Sequence, residues 1–491
     1  METMRTRSFL LTLVATAALA ACGGGGDGGS SVPPPAPEET RVQDSRKSYV
    51  PADPTATTFA ALAPAAGDTV APASTSRWAG VLGGAAYRIE VPPNWNGKLV
   101  MYAHGYAGTG NTLVVSNPQI RRHLIANGYA WAASSYTKNY YDVRVGVEDT
   151  NALARAFNKI AADNGRPLTA PSRIYITGVS MGGHITAAAI EDEAFATANN
   201  KVRYNGAVPM CGVLGDTELF DYFAGAQVTA QSLAGVPNHP FTQWADIQAQ
   251  VTAALFTQFP TAPVTTTTLG NRYKSVLENL TGGERPLFDL SLAYGGSFSA
   301  VWGVFGGDGT INGILNKPVI DTNRFTYIVD NDAAATATLN ATAQKLTADP
   351  EANRLRRDGL RWVPVTSGNI RIPVVTLHTL GDLYVPFSME QIYQKRVAAK
   401  GNSQWLVQRA IRGATHCDFT VAEQTDAFDA MIRWERDGVK PAGDDVVTPT
   451  TVAQPSYGCA FTRNTFGPDD SSSTQQLRGL IAASGATCPA Q

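Results

Sequence analysis

The chain has 491 residues, a formal net charge of −2, 16% charged residues and 44% hydrophobic residues. No basic block interrupts this near-neutral balance, which argues against nucleic acid as a partner. The apolar content can bury a large core, and the length suits one domain with a sizeable insertion or two domains.

The first residues read as a processing signal. Arg5 and Arg7 give a positive start, and an apolar run follows from Phe9 to Ala21, too short to span a bilayer as a mature helix. The next feature, Leu19-Ala20-Ala21-Cys22, resembles the lipobox of bacterial lipoproteins, in which the cysteine becomes the lipidated first residue. An ordinary secretory signal with a chance cysteine is the alternative. Gly23 follows Cys22 where an aspartate would imply inner-membrane retention, so the resemblance implies the outer membrane. Residues 23–54 are rich in Gly, Ser and Pro and hold too few large apolar side chains to offset ordering entropy. They read as a flexible tether, so that membrane contact would run only through the N-terminal lipid anchor.

Alternation of short apolar runs and helical spacing begins after the tether. Arg77 to Val91 reads as a strand pair broken at Gly83-Gly84. Lys98 to Ala103 is an apolar run that ends at His104-Gly105-Tyr106; Pro118 to Asn127 suits a helix and Tyr129 to Ser135 a strand. Glu148 to Ala162 places Leu153, Phe157 and Ile160 on one helical face. Strands follow at Ile174–Ile176, Tyr204–Met210, Ile372–Leu377 and Trp405–Ala410, and a last helix runs from Val421 to Glu435 and stops near Gly438. This order predicts an α/β fold: a mostly parallel central sheet with helices on both faces. The predicted catalytic domain covers 55–212 and 371–440. Residues 213–370 do not fit the alternation and read as a large, mainly helical cap insertion. Their aromatics, including Phe220, Tyr222, Phe223, Trp244, Phe256, Tyr273, Trp302 and Phe305, suit either the insertion's own core or the lining of an apolar substrate pocket. Residues 441–491 form a C-terminal extension whose role the sequence leaves open beyond two cysteines.

Setting Cys22 aside leaves Cys211, Cys417, Cys459 and Cys488. An even count in an exported chain points to disulfides, with three possible pairings. Cys459 with Cys488 is favoured because both lie in the C-terminal tail, which leaves Cys211 with Cys417; reduced, buried thiols are the alternative.

Chemistry concentrates at Gly178-Val179-Ser180-Met181-Gly182, between the Ile174–Ile176 run and an alanine-rich helix. A serine hydroxyl is a poor nucleophile unless it is held exposed and given a base, and glycines two residues either side of it let the backbone double back. The pattern is short enough to arise by chance in a chain with 46 glycines, so its context must carry it. The base is predicted as His416, on the loop between the last strand and the last helix, in preference to His104, His123, His184, His239 and His378. The orienting acid is predicted as Asp382, just past a strand end; Asp216 is the rival, and Asp418 lies too close in sequence to His416. The backbone N–H groups of Met181 and Tyr106 are the predicted oxyanion donors.

The resulting order is oxyanion turn, Ser180, Asp382, His416. With His104-Gly105-Tyr106, Gly178–Gly182, Gly381-Asp382 and Thr415-His416-Cys417, the chain resembles the α/β-hydrolase superfamily, within its esterase and lipase branches. The resemblance covers roughly residues 77 to 440 without the insertion. Cys417, directly after the histidine, departs from the general pattern; joined to Cys211 it would pin the histidine loop near the acid. The resemblance implies an exported carboxylic-ester hydrolase acting on small-molecule or polymeric esters, with apolar or aromatic esters a candidate class. It needs no cofactor, and there is no metal-spaced His/Cys cluster and no phosphate-binding glycine loop in the sequence. Amide or peptide cleavage and polyester depolymerisation are alternatives on the same machinery. A non-catalytic surface-binding lipoprotein is the alternative of another class.

Overall fold

The computed structural model describes residues 48–52, 58–294, 297–305 and 317–488. The predicted leader with Cys22 and most of the predicted tether lie outside them. At the tether's end, Val50 and Pro51 pair in parallel with Thr112 and Leu113.

Eight strands build the central sheet: β1 (Ser76–Leu82), β2 (Ala85–Val91), β3 (Lys98–Ala103), β4 (Ala130–Ser134), β5 (Arg173–Val179), β6 (Gly206–Met210), β7 (Val374–Thr379) and β8 (Leu406–Ile411). Their order across the sheet is β8-β7-β6-β5-β3-β4-β2-β1. The pairs β1·β2 and β2·β4 are antiparallel, and all the others are parallel. Every residue of β4, β6, β7 and β8 is buried, which is why these strands read as continuous apolar runs rather than alternating ones.

Helices cover both faces. Alternate residues of β3 sort the two: Leu99 and Met101 join the core that contains Leu153 and Phe157 of α2 (Val143–Asp163) and Ile185 of α3 (Met181–Ala189). Val100 and Tyr102 join the opposite core, with Leu124 of α1 (Arg121–Ala126) and Phe428 and Met431 of α10 (Val421–Asp437). The predicted helix at Glu148 in fact starts at Val143, where three valines obscure the first turn and Asp142 caps it by accepting from Val145 N at 3.1 Å. The last helix opens on a capping box between Thr420 and Glu423 and closes on Gly438 at φ 71°, where the sequence placed its end.

Between β6 and β7 the chain is mainly helical: α4 (Glu218–Leu233), α5 (Trp244–Leu255), α6 (Thr268–Leu280), α7 (Phe288–Ala293) and α8 (Ala333–Thr342). Its large aromatics pack on one another. Trp302 lies 5.0 Å from Trp244, 5.2 Å from Phe298 and 5.6 Å from Tyr273 between ring centroids, and its indole N–H donates to the Tyr273 hydroxyl at 2.9 Å. These rings are the insertion's own core. Phe223 differs, reaching Tyr384 on the loop after β7 at 5.2 Å. After β7, α9 (Ser388–Ala399) leads back to β8.

The C-terminal extension, which carries α11 (Ser472–Ala483), meets the β8 edge of the sheet through Asp444. Asp444 receives the Ala410 N–H at 2.8 Å and donates its own N–H to Gln408 O at 2.7 Å, so it blunts the free edge of β8.

Candidate active site

Ser180 sits at the turn from β5 into α3 with φ 59° and ψ −124°, a conformation that few non-glycine residues adopt. The flanking glycines are there for space. A Cβ on Gly178 would lie 2.3 Å from Gly182 O, and one on Gly182 would lie 2.0 Å from Ala103 O. The elbow therefore closes only with hydrogen at both positions, and it presents a half-buried hydroxyl above the sheet.

Loops that follow the C-terminal ends of the parallel strands β7 and β8 complete the site, and the second of them meets that hydroxyl. His416 Nε2 lies 2.8 Å from Ser180 Oγ, and His416 Nδ1 lies 2.6 Å from Asp382 Oδ2. The Asp382 side chain is fully buried, whereas 17% of the His416 side chain is exposed. The second carboxylate oxygen of Asp382 accepts the backbone N–H groups of Tyr384 and Val385, both at 2.9 Å. Asp382 is thus locked in place, and its free acceptor holds the imidazole in the tautomer with the proton on Nδ1 and a lone pair towards Ser180. The Tyr384 ring packs edge-on against the imidazole at 5.6 Å.

The turn after β3 lies against the nucleophile: a Cβ on Gly105 would be 3.2 Å from Ser180 Cβ. His104 shapes this turn. Its ring stacks on Tyr136 at 4.1 Å, its Nδ1 lies 2.6 Å from Gly105 O, and its own carbonyl accepts the Tyr136 hydroxyl at 3.0 Å. Burial lowers the pKa of His104, against the raising effect of its backbone hydrogen bonds, and so favours a neutral ring. Tyr106 follows on this turn, and Met181 opens α3, where the first N–H groups have no acceptor within the helix.

The rival residues are engaged elsewhere. Asp216 accepts from Arg396 Nη1 at 2.6 Å, Thr366 N at 3.1 Å and Thr217 N at 2.6 Å. Asp418 accepts Ala414 N at 3.1 Å. His184 is fully buried between the Tyr141 hydroxyl at 2.8 Å and Pro364 O at 2.7 Å, and burial pushes its pKa down to about 4. His123 pairs with Asp429, and His239 contacts Gln243 O.

His378 has a place that its position at a strand end did not reveal. Its Nε2 lies 2.7 Å from Val385 O and 3.8 Å from Asp382 Oδ2, and its Nδ1 lies 3.4 Å from Glu390 Oε1. Burial disfavours its charge, but Glu390 and Asp382 outweigh that and raise its pKa. The buried acid therefore has a cation-capable ring behind it. The only sequence signal was a histidine four residues before the acid.

Both favoured disulfides are present, Cys211–Cys417 and Cys459–Cys488. The first runs beside the serine–histidine contact. Cys211 Sγ lies 3.3 Å from Ser180 N, and Cys417 Sγ lies 3.4 Å from His416 Nε2. Both half-cystines take left-handed backbone conformations, φ 41° and 57°. The bridge ties the turn after β6 to the histidine loop across 206 positions.

No protein-family model matches the chain. A 66-residue segment is 30% identical to an o-phthalyl amidase of Xanthobacter agilis, spanning 13% of this chain and 15% of that protein. Among solved structures, feruloyl esterase B of Aspergillus oryzae aligns at TM-score 0.40 and 14% identity, over 76% of this chain and 84% of that one. Candida antarctica lipase A aligns at TM-score 0.35 and 14% identity, over 81% and 82%. The rice cell wall degrading esterase LipA of Xanthomonas oryzae aligns at TM-score 0.32 and 14% identity, over 72% and 83%.

Proposed function

We propose that this protein is a serine hydrolase that cleaves carboxylic esters through an acyl-enzyme. The observation that carries the reading is the unbroken relay from buried Asp382 through His416 to Ser180, at 2.6 and 2.8 Å, with the serine on a strained, glycine-flanked elbow. Ser180 Oγ attacks the ester carbonyl carbon as its proton passes to His416 Nε2. The carbonyl oxygen becomes an alkoxide facing the N–H groups of Met181 and Tyr106. Collapse expels the alcohol, which takes the proton from Nε2. Water then gives a proton to Nε2 and attacks the acyl carbon; the acid leaves, and Ser180 Oγ regains the proton.

The proposed setting is an exported, lipid-anchored protein. Leu19-Ala20-Ala21-Cys22 supports the anchor, and two disulfides suit an oxidising compartment. Among the described residues no helix is long and apolar enough to cross a membrane. A second reading, amide cleavage on the same residues, is favoured by the 66-residue likeness to an amidase.

A fluorophosphonate probe followed by peptide mapping, with matched p-nitrophenyl acetate and p-nitroacetanilide assays, tests both readings. The expected result is one label on Ser180 and faster turnover of the ester. Faster turnover of the anilide would favour the amidase, and neither label nor turnover would leave a non-catalytic binding protein.

The disulfide beside the site has its own expected effect. Replacing Cys211 and Cys417 together by serine should cost roughly 3–5 kcal/mol, since the bridge closes a long loop. It should also lower kcat on p-nitrophenyl acetate by about 10-fold through loosening of the histidine loop. Thermal unfolding and steady-state kinetics check the two effects separately.

A further inference from the structure

The C-terminal extension grips the histidine loop at both ends. At the near end is Arg412, directly after β8. Its backbone N–H donates to Thr462 Oγ1 at 2.9 Å, and its guanidinium donates to Pro455 O at 2.7 Å, Tyr457 O at 3.0 Å and Ala486 O at 2.7 Å. All four acceptors belong to the extension. At the far end is Arg478, a buried residue of α11. Its Nη2 donates to Asp418 O at 2.7 Å, two residues past His416. Its Nη1 and Nη2 donate to the two oxygens of Glu423 at 2.9 and 3.0 Å. Glu423 in turn accepts Thr420 N at the start of α10 and Arg463 N from the extension, both at 2.8 Å. Asp418 also closes the loop on itself through Ala414 N, and its Oδ2 lies 3.8 Å from Arg478 Nε.

This arrangement is costly for simple docking of a helix. Three charged side chains, Arg478, Glu423 and Asp418, are almost wholly removed from water. Buried ion pairs of this kind commonly add little over apolar packing of the same volume, because desolvation offsets the attraction. What they offer is direction. Held two-pronged by Glu423, the guanidinium aims its second Nη2 N–H at the carbonyl of Asp418, on the loop that presents His416, and its second Nη1 N–H at Asn464 Oδ1 of the extension at 3.3 Å.

We infer that Arg478 is a positioning residue for His416. It fixes the Asp418 carbonyl, and with it the backbone of Thr415 to Phe419, which the Cys211–Cys417 bridge also holds. The imidazole must meet Asp382 and Ser180 at once, and a displacement of about 1 Å in such a constellation costs on the order of 100-fold in rate. The C-terminal extension is then a brace for the base, closed on itself by Cys459–Cys488.

The inference rests on the serine hydrolase reading, and its test separates the two. In the full-length protein, p-nitrophenyl acetate kinetics and the rate of fluorophosphonate labelling are measured for Arg478→Met, Arg478→Lys and the double variant Arg478→Met, Glu423→Gln. Arg478→Met is expected to lower kcat and the labelling rate together by about 30- to 100-fold with KM changed less than about 2-fold. Arg478→Lys is expected to recover most of the loss. The double variant neutralises Glu423, one of the two buried acids that Arg478→Met leaves without a cation, Asp418 being the other, so it should regain part of the lost thermal stability while kcat stays low, because Asp418 O still lacks its donor. Recovery of kcat with stability in the double variant would reduce Arg478 to a structural role and overturn the inference, as would an unchanged kcat in a folded Arg478→Met. If Arg478→Met does not fold, the double variant decides alone. A wild-type protein that neither labels nor turns over would instead overturn the parent reading.

Discussion

Ser180→Ala is expected to lower kcat on a p-nitrophenyl ester by about 10⁵-fold or more, with the folded state intact. The hydroxyl is the only atom removed, and its partner is His416 Nε2. His416 keeps its bond to Asp382, so no buried group is orphaned by the change. Alanine retains the Cβ, so the strain at φ 59° is unchanged, and the tight approach of Gly178 and Gly182 to the Ala103 carbonyl is untouched. Thermal unfolding should therefore match the wild type within a few degrees, since surface and near-surface truncations of this size typically move stability little. Binding should persist as well, because the donors near Tyr106 and Met181 remain. Residual catalysis over water, on the order of 10³-fold, is what those donors and substrate binding can supply alone. Turnover near the wild-type value in a folded variant would remove Ser180 from the mechanism.

The parts of this molecule legible from its sequence are those set by local rules. Strands β3 to β8 were visible as apolar runs because both faces of the sheet are covered, and helix α10 announced its ends through Thr420, Glu423 and Gly438. Ser180, Asp382 and His416 could be picked out because each sits at the end of a strand or on the loop beyond it, where a parallel sheet gathers side chains at one rim. The structure brings those three together, engages Asp216, Asp418, His123, His184 and His239 elsewhere, and sets His104 and His378 beside the site. Long-range partners were not legible. Arg478 meets Glu423 and Asp418 across 55 and 60 positions, and no spacing in the chain announces it. His378 looked like the last residue of a strand; only its packing shows that it lies between Asp382 and Glu390. The aromatics of the insertion had two readings because composition does not tell a private core from a pocket wall. Contacts among Trp244, Trp302, Tyr273 and Phe298 decide for the core, while Phe223 against Tyr384 touches the edge of the site.

Asp382→Asn is expected to lower kcat by about 10⁴-fold while leaving KM nearly unchanged, and Asp216→Asn to leave kcat within a few-fold. The hydrogen bonds around Asp382 dictate the first outcome. One carboxylate oxygen accepts two backbone N–H groups, from Tyr384 and Val385, and the other accepts from His416 Nδ1. An asparagine has only one oxygen. Facing the two backbone donors is its better placement, since the reverse would set its NH₂ against both. Its NH₂ then points at Nδ1, which can only accept, so the imidazole proton moves to Nε2. A ring protonated there cannot take the proton of Ser180, although every heavy atom stays near its place. Asp216 has no such link: its oxygens serve Arg396, Thr366 and Thr217 at the foot of the insertion. Its replacement should appear as lost stability, because Arg396 and Thr366 lose a buried acceptor, and thermal unfolding would read that loss. The pair of variants sets catalysis against folding for two aspartates that each follow a strand of the same sheet. A large kcat loss in Asp216→Asn with an active Asp382→Asn would reverse the assignment of the acid.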